Sequence, residues 1–127
     1  MWVEGEDALR GFDLPQLTNI GGYFWVTANN NLEAFSAPSL TEVGGSLRVG
    51  VNTVMTGFAL PALTKVWGDA HIYNNALLAQ CLVDALLEEV ESRQGVGGSI
   101  KFCDLWGCNN QICICEVVEG DLKPLCD

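Results

Sequence analysis

The stretch that decides the fold is Leu14–Ser36, "LPQLTNIGGYFWVTANNNLEAFS", because it is met again at Ala37 as "APSLTEVGGSLRVGVNTVMTGFA" and at Leu60 as "LPALTKVWGDAHIYNNALLAQC". The offset is 23 residues each time. Pro15, Pro38 and Pro61 coincide, as do Leu17, Leu40 and Leu63, Thr18, Thr41 and Thr64, Gly22, Gly45 and Gly68, and Asn29, Asn52 and Asn75. A unit of this length cannot bury its own apolar side, but stacked units share one continuous core, which is the logic of a solenoid.

The frame runs on in both directions. Trp2 and Val3 fall under Trp25 and Val26, and Leu9 and Phe12 fall under Leu32 and Phe35, so the chain opens partway through a coil. Downstream, "VGGSIKF" (96–102) repeats "VGGSLRV" (43–49) at an offset of 53, so the last coil is seven residues longer than the others. The excess lies in "CLVDALLEEVESRQG", where Leu82, Leu86 and Val90 form an apolar stripe at helical spacing and Gly95 supplies a stop. A helix over about 80–94 is therefore expected on one side of that coil.

Within each unit, the Gly-Gly pair is followed by a short alternating run, read as the strand of a parallel sheet that runs along the stack. Side-chain parity divides these runs. Phe24, Leu47, Ala70 and Ile100, with Val26, Val49, Ile72 and Phe102, are apolar throughout and are expected in the core. The alternate rows then face outward: Tyr23, Ser46, Asp69 and Ser99; Trp2, Trp25, Arg48, His71 and Lys101; and Thr27, Gly50, Tyr73 and Cys103. The recurring Asn and Thr rows are read as scaffold, since an Asn amide repeated on every turn can bond the backbone of its own and adjacent coils.

The pattern L-P-x-L-T-x-[IV]-G-G-x-[LF]-x-[VI]-x-x-N-x-x-L resembles the receptor L-domain family of leucine-rich-repeat-like β-solenoids, over roughly residues 1–102. The helical run followed by "VGGSIKF" and a Cys-rich tail is similar to the end of bacterial, surface-located members. The resemblance implies an extracellular or cell-surface domain that binds its ligand partly across the parallel sheet. Two features depart from the family pattern: no capping helix precedes Trp2, and the loop "CDLWGCNNQ" lacks the Asn-x-x-Leu continuation.

Composition narrows the function. The 127 residues suffice for one domain with a real core. Sixteen Asp and Glu against six Lys and Arg give a net charge of −10, which disfavours nucleic acid as a partner. No apolar run approaches the ~18 residues a membrane span needs, and "MWVEGEDALRG" has neither the basic nor the apolar region of a secretion signal. All six cysteines, Cys81, Cys103, Cys108, Cys113, Cys115 and Cys126, lie at or beyond residue 81, which reads as a disulfide framework in an oxidising compartment. Their C-x4-C-x4-C-x-C core does not offer the C-x2-C pairs of zinc sites, so no metal or other cofactor is expected. No Asn-x-Ser/Thr acceptor for an N-glycan is present.

Taken together, the sequence predicts a right-handed parallel β-solenoid of about four coils (1–102), closed by one helix and a disulfide-rich cap (103–127). The expected function is non-catalytic recognition or adhesion, with a protein or glycan ligand held by Tyr23, Trp25, Arg48, His71, Tyr73 and Lys101. Flat indole and phenol faces suit sugar rings or partner side chains, and Arg supplies forked donors to carboxylates. An enzyme is not expected. His71 is the only histidine and has no evident nucleophile and orienting acid, and Asp69 alone is not the carboxylate cluster of a calcium-dependent polysaccharide lyase. The alternative is a structural role in which the N-terminal edge stacks on another copy to build a filament or array.

Overall fold

A computed structural model of the chain describes residues 1–104, 107–109, 114–118 and 121–125. The chain winds as a parallel β-solenoid with three strands to a turn. The first turn is β1 (Trp2–Glu4), β2 (Gly11–Asp13) and β3 (Asn19–Ile20), and the second is β4 (Phe24–Thr27), β5 (Ala34–Ser36) and β6 (Glu42–Val43). The third is β7 (Leu47–Gly50), β8 (Gly57–Ala59) and β9 (Lys65–Val66). Next come β10 (Ala70–Tyr73), helix α1 (Gln80–Glu91), β11 (Gly95–Val96) and β12 (Ile100–Lys101).

Like strands of successive turns pair in parallel, giving three sheets in the orders β1-β4-β7-β10-β12, β2-β5-β8 and β3-β6-β9-β11. There are thus three regular turns rather than four, because α1 stands where the next turn would place its second strand. Two of the three sheets went unread in the sequence: their strands are only two or three residues long, too short to display a period of two. The tail adds two antiparallel pairs, β13 (Cys103–Asp104) with β14 (Gly107–Cys108), and β15 (Ile114–Val118) with β16 (Asp121–Leu125).

The core follows from the repeat. Phe24, Leu47, Ala70, Val26, Val49 and Ile72 are all fully buried from the first sheet, and Leu40, Leu63, Val43 and Val66 meet them from the third side. Phe12, Phe35 and Phe58 stack along the second sheet, with centroids 5.0 and 5.1 Å apart and planes within 10°. Backbones pack closely at the Gly-Gly pairs, where a Cβ on Gly44 would strike the carbonyl oxygen of Gly21. Helix α1 buries Val83, Leu87 and Val90, so its inward stripe lies beside the expected Leu82, Leu86 and Val90, and it ends at Glu91 rather than 94. Gly95 lies beyond the helix in a left-handed conformation (φ 84°), turning the chain into β11.

Polar ladders tie the turns together. Each ladder asparagine sits behind a left-handed corner residue: Ala28, Val51 and Asn74 have φ of 56°, 55° and 50°, and Gly5 holds the same place in the first turn with φ 67°. This corner aims the amide inward. Asn52 Oδ1 accepts from both the backbone N–H and Nδ2 of Asn29 (3.2 and 3.1 Å), and Asn75 Oδ1 does the same for Asn52 (3.1 and 3.2 Å). Each Nδ2 also donates to a carbonyl of the neighbouring turn, Val3, Val26 or Val49.

Asn109 adds a further rung to the ladder even though the Asn-x-x-Leu pattern is missing there. Asn109 Oδ1 accepts from the N–H and Nδ2 of Asn75, and its own Nδ2 donates to the carbonyl of Ile72 (2.7 Å) and to Gln80 Oε1 (3.0 Å). The rung arrives after 34 residues instead of 23, which hid it. A second ladder runs through the threonines, with the Thr41 and Thr64 hydroxyls donating to the carbonyls of Thr18 and Thr41 at 3.0 Å.

The end of the stack departs from parity. Ile100, expected in the core, is 37% exposed, and Phe102 is only half-buried. Pairing of β10 with β12 stops at His71 and Lys101, and Cys103 leaves the sheet to pair with Cys108 in the tail. Cys81 and Cys103 are each disulfide-bonded. The side chains of Cys108, Cys113, Cys115 and Cys126 lie outside the described residues.

Candidate functional site

The first sheet carries the candidate site, and strand pairing fixes its rows. Trp2 lies beside Trp25, Trp25 beside Arg48, Arg48 beside His71 and His71 beside Lys101. With neighbouring strands about 4.8 Å apart, the row spans about 19 Å. It forms because the same alternating run recurs on every turn while only its inward residues are held to an apolar type.

At its N-terminal end the row is aromatic. Trp2 meets Trp25 edge-on at 5.9 Å and Tyr23 edge-on at 6.4 Å, while Tyr23 and Trp25 lie 4.5 Å apart with planes tilted by 39°. Trp2 and Tyr23 present the open surface, at 55% and 40% exposure, and Trp25 is half-covered between its neighbours. Trp2, which the sequence placed in the row but not among the ligand-binding residues, is the more exposed of the two indoles.

Arg48 closes the aromatic cluster, its guanidinium carbon 4.8 Å from the centroid of Trp25. This is cation–π geometry. Arg48 is half-buried and makes no hydrogen bond or ion pair among the described residues; its Nε and the Trp25 Nε1 are both buried without a partner. Leaving a buried N–H unpaired costs about 1–3 kcal/mol.

Beyond Arg48 the row becomes a polar cluster. His71 Nε2 lies 3.1 Å from the Ser99 hydroxyl and 4.0 Å from Asp69 Oδ2, and the Ser99 N–H donates to Asp69 Oδ1 at 2.8 Å. In a serine–histidine–acid relay the acid holds one ring nitrogen and the hydroxyl faces the other. Here both face the same nitrogen, so the trio has a different geometry from a relay. Partial burial, with Arg48 and Lys101 nearby, holds the His71 imidazole below its ordinary value against the opposing pull of Asp69. The Ser99 backbone N–H, then the Ser99 hydroxyl, His71 and Lys101 hold the Asp69 carboxyl below its ordinary range, against a desolvation effect that raises it. Lys101 is exposed.

The third outward row is covered more than parity suggests. Thr27 is buried, its hydroxyl donating to Glu4 Oε1 at 3.3 Å, and the Tyr73 ring lies where a Cβ on Gly50 would be. Tyr73 therefore flanks the Arg48–His71 row instead of standing clear of the sheet.

One exposed aromatic was missed. Trp67 is 58% exposed, with Lys65 Nζ 5.0 Å from its ring centroid. It occupies the slot held by Gly21 and Gly44 in earlier turns, and an interruption of that glycine row was the available signal. It lies just after β9, away from the candidate row.

Among the described residues no group of three His, Cys, Asp or Glu side chains is placed to hold a metal ion, and no helix is long and apolar enough to cross a membrane. Comparisons with protein-family models, with curated proteins and with solved structures gave no match to this chain.

Proposed function

We propose that this chain is a non-catalytic extracellular recognition or adhesion module that binds a protein or glycan ligand on the outward face of the β1-β4-β7-β10-β12 sheet. The observation that carries the reading is the Trp2–Trp25–Arg48 cluster. It is an aromatic platform closed by a cation with no partner among the described residues, on a chain with ten more acids than bases. Exposed aromatic patches of this kind mark interaction surfaces. The repeat's resemblance to receptor L-domains agrees with a sheet-borne ligand and a surface location. The disulfides at Cys81 and Cys103 accord with an oxidising compartment.

The test is capture of cell-surface material by the immobilised chain. The Trp25→Ala, Arg48→Ala double variant is expected to lose capture while its circular dichroism and melting curve stay those of a folded solenoid. Undiminished capture by a folded double variant refutes the reading.

A second reading, a self-assembling structural component, is favoured by a separate observation. Among the described residues β1, β2 and β3 are each paired on one side only, at the same end of the stack. Against it, the exposed acids Glu4, Glu6 and Asp7 crowd the same turn, and charge on an edge discourages pairing with another copy. Sedimentation across a dilution series separates the two readings: a monomer at every concentration rules out assembly through this end.

A further inference from the structure

We infer that the ligand of the Trp2–Lys101 row is a carboxylate-bearing polysaccharide, a uronate polymer, lying across the strands with its sugar faces on Trp2 and Tyr23 and its carboxylates on Arg48 and Lys101. This rests on the recognition reading above and specifies its ligand. The first ground is the state of the cations. Arg93 donates to the carbonyls of Pro61 and Leu63, and Lys65 to that of Gln94, so these are committed to the fold. Arg48 is committed to none. Its guanidinium carbon lies 4.8 Å from the Trp25 ring centroid, a cation–π contact that restrains the side chain on the row, and its planar fork is the group that matches a carboxylate. Lys101 lies two strands further along the same row, so a polymer with a carboxylate on every ring meets both cations.

The second ground is the distribution of apolar surface. Among the described residues, only Trp2 and Tyr23 offer large exposed rings on this face, both at one end. The rest of the strip is flanked by Ser46, Ser99 and Asp69 on one side and by Tyr73 over Gly50 on the other. A protein partner needs an interface of about 1,000 Å² or more with a desolvated apolar centre, which a narrow, mostly polar strip does not provide. A sugar polymer needs alternating ring faces and hydrogen-bonding edges. The net charge of −10 opposes any long polyanion, uronate as well as nucleic acid, so the attraction is local to Arg48 and Lys101 and suits a short oligomer.

Calorimetry on the whole chain tests this with oligogalacturonate and oligoglucuronate, the methyl ester of each, and a poly-glutamate peptide. At least one uronate oligomer is expected to bind, to lose about tenfold or more in affinity on esterification, and to weaken between about 50 and about 200 mM salt. These readouts use the unmodified protein and do not depend on a variant folding. Arg48→Gln is expected to lower affinity about 10- to 100-fold, and Arg48→Lys to recover only part of it. Trp2→Ala is expected to lower it several-fold.

Equal binding of acid and ester overturns the carboxylate inference but leaves glycan recognition standing. Poly-glutamate binding unaffected by Trp2→Ala overturns it in favour of an acidic peptide, again within the recognition reading. If neither uronate binds, the inference fails. The recognition reading is then decided separately, by whether cell-surface capture depends on Trp25 and Arg48.

Discussion

The inward asparagine ladder and the outward Trp2–Lys101 row run through the same stack of turns and obey opposite rules. Along the ladder the residue is asparagine at 29, 52, 75 and 109, each amide is buried, and each finds its partners above and below, with the first turn contributing only the Glu6 backbone N–H. Along the row the residue changes at almost every step, and two buried donors, Trp25 Nε1 and Arg48 Nε, have no partner. A fully satisfied buried network specifies one register and contributes to stability. A row with donors left over gains ring contacts for the fold but no satisfied polar network. Repetition of identity thus marks the scaffold, and variation at a repeated position marks the surface free to take on a ligand.

The largest effect should come from breaking the ladder. Asn52→Ala strands the Asn29 N–H and amide and leaves the Val26 carbonyl without its donor, all of them buried. A loss of about 3–5 kcal/mol is expected from urea denaturation. A loss under about 1 kcal/mol would make the ladder incidental to stability.

Next come the left-handed corners that precede each rung. Ala28→Gly replaces a residue at φ 56° by one that adopts that conformation freely, as Gly5 already does in the first turn. A gain of about 1 kcal/mol is expected from the same denaturation series. No gain would mean that the corner is unstrained.

In the outward row a smaller change is expected from a comparable substitution. Trp25→Phe removes the unpaired indole N–H while keeping a ring between Trp2 and Arg48, so loss of packing and relief of the buried donor oppose each other. Stability should stay within about 1 kcal/mol of the parent. A drop as large as that of Asn52→Ala would erase the distinction between the two rows.

The smallest effect is in pH dependence. The His71 imidazole titrates below its usual value in the folded chain, so on acidification the unfolded chain takes up the proton first. The stability linked to the neutral ring is complete above about pH 6.5, falls as pH drops below that value, and levels off beneath the lower folded value. Asp69, also held low, acts in a separate window: its contribution is present above about pH 3.9 and is lost only on further acidification through its folded value. Melting temperatures recorded from neutral to mildly acidic pH should therefore show a small decline that His71→Gln abolishes. Persistence of the decline in that variant would assign it to other groups.

Much of this was legible in the sequence for a physical reason. The 23-residue offset survives because glycines that touch backbone to backbone and asparagines that bond one another cannot be exchanged freely. Parity then placed Phe24, Leu47 and Ala70 inside and Trp25, Arg48 and His71 outside. What parity does not carry is coverage by a neighbour one turn away, so the half-burial of Trp25 and Arg48 and the burial of Thr27 were not foreseen. Strands β2, β3, β5 and β6 each show only one inward side chain, such as Phe35 or Val43, and a single residue has no period. Asn109 escaped because the chain takes 34 residues to bring it into line, and Ile100 because the sheet frays at the cap.

Asn109 has a consequence for engineering. The ladder accepts its last rung across a detour that contains a whole helix, and the bonds made there are those made after an ordinary turn. The stack therefore reads where an amide returns and not how far the chain travelled. A foreign segment spliced between two rungs, at the solvent side of a turn, would be carried as cargo on an unchanged spine.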